Sequence, residues 1–375
     1  MGKKILIINA GMHISGVTRV MINMANALAE RGHDVTIKTF TADNGLEYLL
    51  DKRVKHELLL KETKFFGKRI RGWLRWYYAR ANQIFEKSAY FQYKKIVKEK
   101  YDVEIAYNRG IGARVIAASD NENAKKLVWV HSNYMCCDNA LAGFNTFEEA
   151  KEAYQKFDKI ICVSEQAKKA FIERFGIDKN VITLNNVNNE EYILSQEPAS
   201  DIKKSRFTAI AVGRLCEAKA YHILLDACKM LNDDGIEYDL WIVGDGEDKE
   251  QLLKQKNTLK LDNVQFLGAK PNPYQYMKLA DLYVSSSIYE GLSTTTIESL
   301  IMGIPAVVTD CTGMRDILGD SEYGLIVPIN AHSLYEGMKK MINDDNLSHM
   351  YKEKCKERAK DFSKDATISA IEALF

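Results

Sequence analysis

The first forty residues constrain the fold most. Lys4-Ile5-Leu6-Ile7-Ile8-Asn9 is an apolar run of strand length, and a glycine-bearing turn follows it. Val17, Val20, Met21, Met24 and Leu28 then recur at helical spacing up to Gly32, after which Val35, Ile37 and Thr39 alternate as a second strand. Strand, helix and strand without a tight turn require a crossover, and a crossover requires parallel pairing with the helix laid on one face of the sheet.

The same grammar continues. Val103 to Tyr107, Lys126 to His131 and Lys159 to Ser164 read as strands of a first half. Thr208 to Val212, Tyr238 to Val243, Val264 to Leu267, Leu282 to Ser285 and Ala306 to Thr309 read as strands of a second. At 375 residues the chain is long enough for two or three domains, and two doubly wound α/β domains facing a central cleft are the economical reading. The expected division is 1–190, 205–360 and a C-terminal helix in 361–375 returning to the first domain. The polar stretch between Val187 and Arg206, with the first proline, Pro198, is the expected boundary.

Several classes are excluded. No apolar stretch reaches the ~18 residues that would span a bilayer, and no cleavage site follows the short N-terminal run. Seven cysteines with no Cys-x-x-Cys or Cys/His ligand spacing read as reduced thiols, and the expected location is the cytoplasm. The formal net charge of +1 calls for no nucleic-acid partner. One segment departs from that balance: residues 61–100 carry twelve Lys/Arg against three Glu, interleaved with Phe65, Trp73, Trp76, Tyr90, Phe91 and other aromatics. Basic residues mixed with Trp and Phe suit an anionic membrane surface, so contact with the inner face of the cell membrane is expected; solvated helices with core aromatics are the plainer reading.

Two motifs carry chemistry. In Glu290-Gly-Leu-Ser-Thr-Thr-Thr-Ile-Glu298, Ser293 or Thr294 is a natural N-cap and Gly303 a natural stop. The backbone N–H groups around Gly291, Leu292, Ser293 and Thr294 would converge at a helix N-terminus, an anion site with a carboxylate on either side. In Gly213-Arg214-Leu215-Cys216-Glu217-Ala218-Lys219, two cations five residues apart follow a strand, which suits a diphosphate, and Gly213 lets backbone approach it. Asp245-x-Glu247 reads as a turn rather than a metal pair.

These residues resemble the family-four retaining glycosyltransferases of the GT-B fold. The likeness rests on Gly213-Arg214-Leu215 with Lys219, Gly244-Asp245-Gly246, Phe266-Leu267-Gly268, the two glutamates, Gly303-Ile304-Pro305, Ser15-Gly16-Val17, Val163-Ser164-Glu165 and Asn185-Asn186-Val187. The resemblance implies that Arg214 and Lys219 hold a donor diphosphate together with Gly16, Gly213 and Gly291 to Thr294. It places Glu298 on the ribose, and Glu290 and His131 against the transferred sugar. It also implies a nucleoside-diphosphate sugar as substrate, UDP favoured, with no cofactor and no metal, and a glycan or polyprenyl-diphosphate-linked acceptor of a surface polysaccharide. An inactive partner subunit and a sugar-nucleotide epimerase are the alternatives. Ala220 stands where the family has glycine, an expected packing change only; Ser15 replaces a glycine of the first-domain loop, with an expected effect on its approach to phosphate.

Overall fold

The computed structural model describes residues 2–13, 15–41, 45–59, 89–108, 110–135, 141 and 143–375. Most of the basic aromatic segment, 61–88, lies outside them. The chain divides into two compact units: Met1–Val163, Ala167–Val187 and Thr367–Phe375 form the first, Ser164–Gln166 and Asn188–Ala366 the second.

The first unit is a seven-stranded sheet, all parallel, built from β1 (Lys4–Asn9), β2 (Asp34–Thr39), β3 (Lys55–Leu58), β4 (Val103–Ala106), β5 (Lys125–Val130), β6 (Lys159–Cys162) and β7 (Val181–Thr183). The order is β3-β2-β1-β4-β5-β6-β7. Helices cover both faces, so the central strands are apolar throughout rather than alternating: Ile5, Leu6, Ile7 and Ile8 are all fully buried. Helix Gly16–Glu30 returns the chain from β1 to β2; the Ser15 hydroxyl accepts the Thr18 N–H at 3.2 Å and caps it. Ser15 thus has a structural task that the glycine it replaces could not perform. The last helix, Lys364–Glu372, carries Glu372, which is bonded by Arg31 at 2.6 Å and paired with His33 at 2.9 Å, while Phe375 meets the His33 ring edge-on.

The second unit is a six-stranded parallel sheet of β8 (Thr208–Val212), β9 (Asp239–Val243), β10 (Val264–Gly268), β11 (Leu282–Ser285), β12 (Ala306–Thr309) and β13 (Leu325–Val327), in the order β10-β9-β8-β11-β12-β13. Its core joins Ala209, Ala211, Leu240, Ile242 and Val284 to Leu224, Leu231, Leu334 and Met338 of the covering helices. Among the described residues no helix is long and apolar enough to cross a membrane. Three strands, β3, β7 and β13, have no counterpart among the sequence expectations.

Ala220 is more than a packing change. It ends the short turn Glu217–Lys219 at φ 44° and ψ 44°, the left-handed region, and opens helix Tyr221–Asp233. An L-residue there costs about 1–2 kcal/mol, which glycine avoids while losing about 0.5–1 kcal/mol of extra chain entropy. Ala220→Gly is therefore expected to stabilise the second unit by about 0.5–1 kcal/mol, read as a higher denaturant midpoint at unchanged slope. A lower midpoint would show that the backbone strain is relieved some other way.

Candidate active site

In the second sheet the order reverses between β8 and β11, which pair directly through Leu282 with Ala209 and Tyr283 with Ile210. The chain leaves β8 toward β9 and leaves β11 toward β12, so the loops after the two strands part and open a crevice at their carboxyl ends. Both chemistry-bearing motifs fall in those loops. The two are tied together: Ser286 Oγ donates to the Lys219 carbonyl at 2.8 Å, and Ile288 N–H to the Ala218 carbonyl at 2.9 Å. Gly244 braces the first loop so tightly that a Cβ there would sit 1.8 Å from the Gly213 carbonyl oxygen.

At the junction Lys219 Nζ is ion-paired with Glu290 Oε1, and the fully buried Ser287 donates its hydroxyl to the same oxygen at 2.9 Å. The two charged side chains are only 21% and 15% exposed. Burial by itself would push the Lys219 pKa down; the Glu290 carboxylate overrides it and holds the ammonium above lysine's ordinary value, so the cation persists throughout the physiological range. Ser287 is fixed in turn by Thr309 Oγ1, which donates to its carbonyl at 2.5 Å, and by Ser285 Oγ at 3.1 Å. The pair is preorganised by neighbours that carry no charge.

Beyond it, Ser293 caps helix Thr294–Ile301, its hydroxyl accepting the Thr296 N–H at 3.4 Å, and Tyr283 OH pairs with Thr295 Oγ1 at 2.7 Å. Gly291 and Leu292 form the approach to this N-terminus; Gly313 backs them, where a Cβ would come 2.6 Å from the Gly291 carbonyl oxygen. Glu298 lies in the second turn, 6% exposed, and accepts the Tyr274 hydroxyl at 2.8 Å. Gly213 is crowded, with Lys219 Cε 3.1 Å from where a Cβ would stand. Arg214 is turned outward instead, 72% exposed and paired with Glu247 at 3.0 Å. Asp245 closes its own turn, accepting Gly246 N–H at 2.9 Å and facing Lys249 at 3.1 Å. Among the described residues no group of three His, Cys, Asp or Glu side chains is arranged to hold a cation.

Gly16 and His131 belong to the first unit. Gly16 is the first residue of the helix that follows β1. His131 follows β5, its ring 4.8 Å from that of the buried Tyr107. His131 Nε2 is shut off from solvent with no hydrogen-bond partner among the described residues. Burial lowers its pKa to about 4, against a smaller raising effect of its bond with the Tyr107 backbone, so the imidazole is neutral at pH 7 and offers a hydrogen bond rather than a charge.

Tyr274, Ser286 and Ser287 escape sequence reasoning. The serines lie just past the strand expected at Leu282 to Ser285, and Tyr274 stands 24 residues before the carboxylate it bonds; only the register of β11 and the packing of the preceding loop reveal them.

Residues 14–187 match the family described as Glycosyltransferase Family 4, and residues 193–358 that described as Glycosyl transferases group 1. The chain is 35% identical over 216 residues to the Campylobacter jejuni N-acetylgalactosamine-N,N'-diacetylbacillosaminyl-diphospho-undecaprenol 4-alpha-N-acetylgalactosaminyltransferase. That alignment covers 56% of this chain and spans 58% of the relative's length. It is also 23% identical to an amylovoran biosynthesis glycosyltransferase of Erwinia amylovora over 97% of both chains. Its fold is similar to that of Anabaena HepE crystallised with UDP, with a TM-score of 0.75 at 19% identity over 99% of this chain and 98% of that one.

The depressed His131 pKa has a consequence for stability. The unfolded chain takes up a proton near pH 6.5 and the folded chain only near 4, so this residue withdraws stability as pH falls from about 6.5 to about 4, on the order of 3 kcal/mol in all. His131→Gln is expected to flatten that part of the stability profile of the first unit. An unchanged acid limb would show that the ring is already protonated or exposed in the fold.

Proposed function

The chain belongs to the family-four glycosyltransferases of the GT-B fold, and on that premise we propose that it transfers a hexosyl or N-acetylhexosaminyl group from a UDP-sugar to a hydroxyl of a polyprenyl-diphosphate-linked saccharide. Anomeric configuration is retained, and the product is a step in assembly of a bacterial surface polysaccharide. The observation that carries the reading is the Lys219–Glu290 pair tied across the two loops at the β8–β11 switch point, with a capped helix N-terminus beside it and Glu298 one helical turn further on. An anion, a sugar and a polar ring each have a partner in that order. The diphospho-undecaprenol acceptor named for the Campylobacter relative supports the choice of acceptor class, the amylovoran biosynthesis named for the Erwinia relative supports the polysaccharide, and the UDP complex of the Anabaena protein supports the choice of base.

In this reading Lys219, Arg214 and the N–H groups of Gly291, Leu292, Ser293 and Thr294 hold the diphosphate, with Gly213 allowing backbone to approach it. Arg214 reaches it by exchanging Glu247 for phosphate, a pair of exposed side chains that costs little to part. Glu298 accepts the ribose hydroxyls. Glu290 contacts the sugar. The bond from the anomeric carbon to the diphosphate breaks as the acceptor oxygen forms its bond on the same face, and the acceptor proton passes to the departing phosphate oxygen. Charge accumulates on that phosphate, where preorganised cations and N–H dipoles lower the barrier most; two cationic side chains and a helix N-terminus take the place a metal ion fills elsewhere.

Thermal stabilisation of the wild type by UDP, GDP and ADP and their sugars, with chelator present, tests the donor site. At about 100 times its dissociation constant a ligand adds ~2.7 kcal/mol. The uridine series is expected to stabilise the wild type clearly more than Arg214→Ala or Glu298→Ala. Stabilisation that both substitutions leave undiminished, or turnover that strictly requires a divalent ion, would sink the assignment.

Membrane contact through 61–100 remains part of the proposal. Of that segment, helix Ala89–Ile96 is described, and it leaves Phe91 69% and Tyr90 45% exposed beside Lys94 and Lys95. The wild type is expected to co-sediment with anionic vesicles at low salt and to be released by high salt. Failure to sediment at low salt removes this part.

A further inference from the structure

Glu298 is a nearly buried carboxylate, and something must fix its plane before a ligand arrives. Tyr274 does so from a different stretch of chain. It begins the short helix Tyr274–Met277 in the connection from β10 to β11, whereas Glu298 lies on the helix after β11. Tyr274 is 2% exposed, donates its hydroxyl to Glu298 Oε1 at 2.8 Å, and has its own ring held edge-on by Tyr192 at a centroid distance of 6.0 Å. Tyr192 is seated by the cap of helix Glu190–Ser195, where Asn189 Oδ1 accepts its N–H at 3.1 Å.

We propose that Tyr274 is a positioning residue for ribose recognition, and that through it the chain selects ribonucleoside over 2′-deoxyribonucleoside diphosphates. The proposal rests on the donor role given to Glu298 above and adds how that carboxylate is aimed. A phenol is suited to the task. It orients the carboxylate with one O–H donor, occupying one of about four acceptor sites, and brings no positive charge that would weaken the carboxylate as an acceptor for a sugar diol. A lysine or arginine in its place would compete with the ligand. Without the hydroxyl, Glu298 keeps its helix position but loses the donor that orients its Oε1, and its plane is held less closely to the one that meets the vicinal hydroxyls.

The experiment measures dissociation constants of UDP, GDP and ADP, each against its 2′-deoxy counterpart, for wild type, Tyr274→Phe, Glu298→Ala and the double variant. Phenylalanine keeps the ring against Tyr192, and a ratio of two ligands on one protein sample is insensitive to a partly inactive fraction. The wild type is expected to favour the ribose form of the nucleotide it binds. Tyr274→Phe should weaken that form about tenfold while leaving the deoxy form nearly unchanged. Glu298→Ala should abolish the preference, and adding Tyr274→Phe to it should change nothing further. If Tyr274→Phe weakens both forms equally, or lowers only the melting temperature, the tyrosine is a packing residue and the proposal fails. If Glu298→Ala keeps the full preference, the ribose role of Glu298 fails, and the proposal with it.

Discussion

A parallel strand cannot be followed by its neighbour through a tight turn, and much of this protein depends on that constraint. Each strand must be left at its carboxyl end and re-entered at its amino end by way of a crossover, here in most cases a covering helix. All strand-to-helix loops of a sheet therefore gather along one edge, and where the strand order reverses two of those loops diverge. In the second unit that point lies between β8 and β11. Gly213 to Lys219 and Ser286 to Ser293 are brought together by topology before any of their side chains touch.

What those loops hold is a charge problem solved with neutral groups. A lysine and a glutamate largely out of water lose hydration that only good geometry repays. Here Ser287, Ser286 and Thr309 supply the geometry: one hydroxyl fixes the carboxylate, one the lysine's backbone, one the serine that fixes the carboxylate. None adds charge, so the net electrostatic character of the crevice is left to whatever anion enters. The glycines serve the same end by distance. Gly244 and Gly313 let a third and fourth strand's loops press against the first two so closely that a methyl group would meet a carbonyl oxygen.

How much of this the sequence displays follows from burial. Central strands are covered on both faces and read as continuous apolar runs, which is why β1, β4, β5, β8, β9, β11 and β12 are legible. The three strands that are not, β3, β7 and β13, are all edge strands of three or four residues with partly exposed side chains; Lys55 to Leu58 even alternates like a surface segment. In the crevice the cap at Ser293 and the placement of Glu290 and Glu298 are legible because they obey local helix rules. Tyr274, Ser286 and Ser287 are not, because their meaning lies in contacts with residues distant along the chain or in which way a short loop turns. Ala220 falls between the two: the missing glycine is visible in the sequence, but only the backbone angle of 44° shows that conformation, not packing, is what the glycine would supply.

The state of Lys219 without ligand bears on how a donor would bind. Its ammonium is already matched by Glu290 and its pKa is raised, so an arriving diphosphate gains nothing by creating a cation and must instead share one. Two anions then face a single lysine, which is tolerable only if further positive potential comes with the ligand. The exposed Arg214, released from Glu247, and the helix N-terminus at Thr294 are the two sources nearest in the chain. The carboxylate displaced from full possession of the lysine is left with Ser287 and needs a new partner of its own, and a sugar hydroxyl is the group that the diphosphate carries with it. Under the donor site proposed above, phosphate and sugar recognition would be coupled through one ion pair, so that a nucleoside diphosphate lacking the sugar would satisfy the lysine but leave Glu290 short of a donor.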